Sequence, residues 1–231
     1  MRFQTILFDA GGVLVTPNWD RVAAALDRQG VRVAAEALAA VEPWVKRQFD
    51  VAPTVQTTND AQRGFLYFDL ILKRAGIEAS AATDAALAEL KAFNDTEGAW
   101  DAVVPDAIAT LRRLRGAGCT LGVVSNANGT LRRMFRRVGL EPHLDVLVDS
   151  SEEGVEKPNP RLFELALERA GSARDRAIFC GDIYQIDVVG ARAAGLPVVL
   201  LDPTGQYVDA DCPCVPSLTA FADGVLSGAF E

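Results

Sequence analysis

The sequence predicts an α/β fold in which a doubly wound parallel sheet carries an inserted α-helical domain, and three observations lead there. Apolar runs without polar alternation, of the kind buried on both faces of a sheet, recur along the chain. From residue 104 onward they alternate with helical patterns, the order that gives parallel strands. Between residues 20 and 97, by contrast, helical patterns follow one another with almost no strand signal. A chain of 231 residues is long enough for a core domain with a smaller one set into it. The expected partition is a core of residues 1–15 and 100–231 and a helical cap of residues 16–99.

The first strand is the run Ile6-Leu7-Phe8, which delivers Asp9 onto the turn Gly11-Gly12 before Val13-Leu14. In the insert, helical spacing marks Asp20 to Arg28, Val31 to Phe49, Asp60 to Ala75 and Ala81 to Phe93. Pro105-Asp106 opens a helix with Ile108, Leu111 and Leu114 on one stripe, Gly116 and Gly118 close it, and Thr120 to Val124 reads as a buried strand. Leu144 to Val148 is the next strand, and Pro160 to Ala170 a helix turning Leu162, Leu165 and Ala166 inward. Ala177 to Cys180 is a strand, Asp187 to Ala194 a helix of small residues, and Pro197 to Leu201 a further strand.

Thirty-one acidic residues against 23 basic ones give a formal charge of −8, which argues against a nucleic-acid or anionic-membrane surface. The apolar run after Met1-Arg2-Phe3-Gln4 is too short for a signal peptide, and no stretch approaches the roughly 20 apolar residues that span a bilayer. A cytoplasmic protein with no membrane partner is expected. Cys119 and Cys180 read as small apolar residues in strand contexts. Cys212-Pro213-Cys214 lacks a second cysteine pair, and His143 is the sole histidine, so neither a cysteine-rich zinc site nor a Ser-His-Asp scheme is indicated.

Polar groups fall just beyond four predicted strands: Asp9, Ser125-Asn126, Lys157-Pro158, and Gly181-Asp182 with Asp187. Strand ends of a parallel sheet share one edge, so these groups converge. Two carboxylates from different strands suit a hard cation such as Mg²⁺, which keeps waters and bridges to phosphate. A hydroxyl and an ammonium would hold the remaining phosphoryl oxygens. Asp9 alone could cap its own turn, but Gly11-Gly12 and the distant Asp182 favour function. Ser125 can be a turn hydroxyl and still touch phosphate, and Asn126 has a comparable claim on substrate. Lys157 is one of only four lysines beside nineteen arginines, which suggests a site wanting a compact point charge. Asp187 is expected to cap the helix Val188 to Ala194 and to orient metal-bound water or the lysine.

Over essentially its whole length the chain resembles the haloacid dehalogenase superfamily, in the subclass with a helical cap inserted after the first strand. The resemblance rests on Asp9, Ser125, Lys157, and Asp182 with Asp187, four motifs in the right order at the right strand ends. It implies attack by Asp9 on phosphorus, an aspartyl-phosphate intermediate hydrolysed by water, and Mg²⁺ held by Asp9, Asp182 and the backbone carbonyl of Gly11. The implied substrate is a small phosphorylated metabolite. A catalytically weak binding protein on the same fold is the alternative, with dehalogenase or phosphonatase chemistry behind it.

Gly11 departs from that family's pattern, which usually has a second aspartate there to protonate the leaving group. Such help is worth roughly 10² to 10⁴ in rate. Asp20 is the nearest candidate replacement; otherwise the substrate has a good leaving group, or turnover is slow. Trp44, Arg47, Arg63 and Tyr67 are candidates to face the site, and Phe65, Phe68 and Leu72 read as cap core. Lys46 is a possible imine-forming amine, but Val45-Lys46-Arg47 reads better as the wet edge of an amphipathic helix.

Overall fold

The structure is a computed structural model describing residues 2–51 and 60–231, apart from the side chains of residues 60–63 and 65. The side chains of Arg63 and Phe65 therefore lie outside the described residues. Six strands form one sheet: β1 (Thr5–Phe8), β4 (Thr120–Ser125), β5 (Val146–Asp149), β6 (Ala177–Gly181), β7 (Val198–Leu201) and β8 (Cys214–Val215). Their order is β5-β4-β1-β6-β7-β8, and every neighbouring pair is parallel. The chain winds outward from β1 in both directions, so β1 lies at the topological switch point. There Leu7 sits between Gly122 and Phe179 in register. Asp9 follows at the carboxyl end, where open α/β sheets bind ligands.

Alternation along each strand splits the core into two layers. Ile6, Phe8, Val123 and Ile178 point to one face, beneath α5 (Ala107–Gly116), α6 (Leu131–Arg137) and α10 (Leu218–Ser227). Leu7, Val124 and Phe179 point to the other, beneath α8 (Pro160–Ala170) and α9 (Val189–Ala193). Burial on both faces is why these strands read as unbroken apolar runs.

The insert is built from α1 (Trp19–Arg28), α2 (Ala35–Phe49), α3 (Asp60–Arg74) and α4 (Ala81–Glu97). Asn18 caps α1 by accepting from the Arg21 amide at 3.0 Å, and Ser80 and Thr83 form a reciprocal capping box on α4. Val22, Leu26, Leu38, Val45, Ile71 and Leu87 belong to an apolar cluster that includes no strand residue. The chain enters and leaves the insert through an antiparallel pair, β2 (Val15–Thr16) with β3 (Ala102–Val103). Among the described residues no helix is long and apolar enough to cross a membrane.

Most elements match their expected positions within a few residues, and Pro160–Ala170 does so at both ends. The pair β2–β3 and the edge strand β8 were not foreseen, because two residues are too few to show a period. The stretch expected to begin a helix at Asp187 is also different. A wide π-type turn spans Tyr184–Val188, and α9 starts only afterwards, so Asp187 lies inside a turn rather than capping a helix.

Candidate active site

Lys157 is the hub of the site. Its side chain is only 1% exposed, and its ammonium lies 2.9 Å from Asp9 Oδ1 and 2.7 Å from Asp187 Oδ1. Burial disfavours a charge there, but Asp187 and Asp9 overcome it and hold the lysine pKa well above its ordinary value. The loop is fixed by Asn126, whose Nδ2 donates to the Lys157 carbonyl at 3.0 Å while its Oδ1 accepts from the Lys157 amide at 2.7 Å. Asn126 thus acts on the lysine backbone, a role its position next to Ser125 did not suggest. The Lys157–Pro158 bond is cis.

Asp9 Oδ1 also accepts from the Ala10 amide at 2.7 Å. Its other oxygen, Oδ2, has no hydrogen-bond partner among the described residues, and Asp9 lines the central cavity. Burial pushes the Asp9 pKa well above the carboxylate range, Lys157 pulls it down, and the charges of Asp187 and Asp182 push it up again. Ser125, buried at the end of β4, reaches among the described residues only its neighbour's carbonyl, at 3.4 Å, so its hydroxyl is weakly engaged.

Asp187 turns back toward β6. Its Oδ2 accepts from the amides of Asp182 and Ile183 at 2.9 and 3.0 Å, while Oδ1 holds Lys157. Both its oxygens are engaged, so its part is to orient the lysine and the Asp182 loop. Asp182 differs: Oδ1 is buried with no partner among the described residues. An unmet buried acceptor costs about 1–3 kcal/mol, and more when charged. One oxygen from each of Asp9, Asp182 and Asp187 lies within 4.8 Å of the others. Gly12 adopts φ +73°, and a Cβ there would collide with the Asp182 carboxylate, so the close approach of the two loops requires glycine.

The Asp182 Oδ2 atom carries the main correction to the sequence reading. It forms an ion pair with Lys46 of α2, which is not on a solvated edge. Glu42, Lys46 and Phe49, spaced i, i+4, i+7, share one helix face and line the cavity. The Lys46 pKa is raised: burial opposes its charge, but Asp182 and Glu42 outweigh that. Asp20 proves to be an exposed residue in the first turn of α1, away from the cavity, so it does not stand in for an acid at position 11. Trp44 is likewise exposed, beneath the guanidinium of Arg74. Arg47 lies at the junction of insert and core, over the ring of Tyr207.

Tyr67 does face the cavity, its hydroxyl donating to Glu42 at 2.7 Å, and Phe68 joins it there. Trp100, which the sequence did not single out, packs its indole edge against Gly11: a Cβ added there would sit 3.5 Å from Trp100 Cδ1. Two further aspartates were also missed. Asp149 accepts from the amides of Gly129 and Ser151, each at 3.0 Å, and so shapes the loop after Ser125. Asp50 of the insert accepts from the amides of Tyr184 and Gln185 at 3.0 and 2.7 Å, satisfying otherwise orphaned donors of the turn beside Asp182. Their only sequence signal is a carboxylate beside an element end, which many surface residues share.

A model of the haloacid dehalogenase-like hydrolase family matches residues 3–195. The chain belongs to that family. Among curated haloacid dehalogenase-like relatives, a glyceraldehyde 3-phosphate phosphatase from Methanopyrus kandleri is 35% identical over 62% of this chain and 60% of its own length. A ribulose-1,5-bisphosphate 5-phosphatase from Halopiger xanaduensis is 36% identical over 45% of this chain and 44% of its own. The alignments thus span about half the length of these relatives. The HAD-hydrolase YfnB from Bacillus subtilis, solved bound to magnesium, superposes with a TM-score of 0.70 at 18% identity, covering 96% of this chain and 98% of that one. L-2-haloacid dehalogenase from Xanthobacter autotrophicus gives 0.65 at 20% identity, covering 97% and 98%. At these identities the likeness is one of fold.

Proposed function

We propose that this chain is a Mg²⁺-dependent phosphatase of small phosphorylated metabolites, with Asp9 as nucleophile and residues 16–99 as a cap over the core of residues 1–15 and 100–231. The observation that carries this reading is the buried, unpartnered Oδ1 of Asp182 next to Asp9, whose Oδ2 is also unpartnered among the described residues. A hard divalent cation fits that donor set, because it is the kind of group that relieves crowded carboxylates. Asp9, Asp182 and the Gly11 carbonyl would hold Mg²⁺, and when bound it would neutralise charge on the phosphoryl oxygens. Phosphatase names among the curated relatives favour the same chemistry.

This chain's own groups divide the remaining work. Lys157 and the Ser125 hydroxyl hold phosphoryl oxygens, and Asn126 and Asp187 keep the lysine in place. Asp9 forms a bond to phosphorus through one carboxylate oxygen as the ester P–O bond breaks, and the electron pair leaves on the alcohol oxygen. Water then hydrolyses the acyl phosphate. Gly11 supplies no proton, so the departing oxygen takes one from solvent. That gap favours a second reading, a phosphometabolite-binding protein with little turnover.

Turnover of an aryl phosphate and a panel of sugar phosphates, with Mg²⁺ or with chelator, separates the two. Metal-dependent turnover that falls by roughly 10³ or more in Asp9→Asn is expected of an enzyme whose nucleophile has been removed. Absence of turnover with every ester leaves the binding reading.

A further inference from the structure

We infer, building on the phosphatase reading, that the preferred substrates are monophosphates of a flat, uncharged aromatic alcohol, phenol-type esters above all, seated against a wall formed by Trp100, Tyr67 and Phe68. Two independent observations point there. One is the composition of the cavity, about 710 Å³ in volume. One part of its wall is an aromatic triangle, with ring centroids 5.5 Å apart for Tyr67–Phe68, 5.9 Å for Tyr67–Trp100 and 5.4 Å for Phe68–Trp100. Leu90 and Met134 also line the cavity. Aromatic faces and edges of this kind favour another ring over a sugar or a carboxylate.

The positive charge of the described residues points the same way. Among the described residues the cations on the cavity wall are Lys46, Lys91 and Lys157, and each already has a carboxylate: Asp182, Asp95, and Asp9 with Asp187. No arginine among the described residues lines it. A second phosphate or a carboxylate on the substrate would thus meet no unpaired cation among the described residues, at a desolvation cost.

The other observation is local to the reacting atoms. The space next to Gly11, where a proton donor would stand, is flanked by the edge of Trp100, whose Nε1 lies 3.8 Å from an added Cβ. That indole N–H has no hydrogen-bond partner among the described residues. An indole does not give up its proton, but it can donate a hydrogen bond to the oxygen that departs. A phenolate, whose parent acid has a pKa of about 10 as in tyrosine, leaves as the anion far more readily than an alkoxide, whose parent alcohol is a far weaker acid. The P–O bond breaks with its electron pair on the aryl oxygen, Asp9 takes the phosphoryl group, and the phenolate is protonated later by water.

Four esters test this with the full chain and Mg²⁺: phenyl, benzyl and cyclohexylmethyl phosphate, and glyceraldehyde 3-phosphate. Benzyl and cyclohexylmethyl share an alkoxide leaving group and differ in the ring, so a KM about tenfold lower for benzyl reads out the aromatic wall. Phenyl phosphate is expected to exceed benzyl phosphate about 100-fold in kcat, the scale of a missing acid. Trp100→Ala should erase the KM difference. Trp100→Phe, which keeps a ring and removes the N–H, should preserve it while lowering kcat on benzyl phosphate about tenfold. If cyclohexylmethyl phosphate or glyceraldehyde 3-phosphate matches the aromatic esters in KM, the inference is overturned while the phosphatase reading stands. Failure of all four esters overturns both.

Discussion

The two halves of the cavity are built on opposite principles. At the sheet edge, side chains are locked by one another and by the backbone: Lys157 is held by Asp9, Asp187 and Asn126, and Asp187 by two amides. On the side of the insert, rings meet rings, and the polar contacts are few, such as Tyr67 on Glu42. Groups that must hold charge within fractions of an ångström are anchored to strand ends; groups that sort substrates ride on helices, where one side chain can change without unravelling a network. Three residues break that division, because Lys46 crosses from the insert to Asp182, Asp50 to the amides of Tyr184 and Gln185, and Trp100 reaches Gly11.

Removing the cation that organises the charged half should have the largest effect. Lys157→Met leaves Asp9 and Asp187 facing each other without compensation, and kcat should fall roughly 10² to 10³ with the helical circular dichroism retained. A fall confined to KM would show that the lysine only recruits substrate. Next comes the seam at Gly11. A Cβ fits there, at ordinary contact distance from Trp100, and we expect a carboxyl beyond it to meet the indole. Gly11→Asp alone should therefore do little, whereas Gly11→Asp with Trp100→Ala should raise turnover of alkyl esters about 10²-fold over Trp100→Ala, the modest end of what an acid supplies. Equal rates in the two backgrounds would mean that the ring is not what blocks the position.

Lys46 tests whether the division between halves is real. If its ammonium competes for Asp182, Lys46→Met should tighten Mg²⁺ binding about tenfold, or about 1.4 kcal/mol, a shift measurable by isothermal titration calorimetry. Unchanged affinity would return Lys46 to a purely structural role. The smallest expected effect is on stability. Burial raises Asp9 from its ordinary 3.8 to about 7, so its contribution to stability is complete below the unfolded value and is lost as pH rises through the folded one. In the metal-free protein, Asp9→Asn should thus melt a few degrees above the native chain at pH 8 and level with it near pH 4. A gain that is the same at both pH values would assign it to packing instead.

What the sequence disclosed follows the same line between halves. Asp9, Ser125, Lys157 and Asp182 were legible because each ends or follows an apolar run, and a parallel sheet brings such ends together whatever lies between them. The direction in which an insert helix faces was not. The apolar stripe of α2 through Leu38, Val45 and Phe49 marks its inward face, but a polar edge next to it can look to solvent or into a cavity, and Lys46 does the latter. Trp100 was hidden for another reason: it stands in the return segment just before β3, where no periodicity assigns a direction. Asp149 and Asp50 act through backbone amides distant in sequence, a pairing that no local pattern encodes.

Asp50 gives the molecule a gauge of its own. The amides of Tyr184 and Gln185 are covered by a carboxylate that belongs to the insert, two and three residues beyond Asp182. Their exchange with deuterated solvent should consequently slow whenever the insert rests on the sheet edge and quicken whenever it lifts, so two amide signals would record how long the cavity stays closed, with or without a ligand, and without any chemistry taking place.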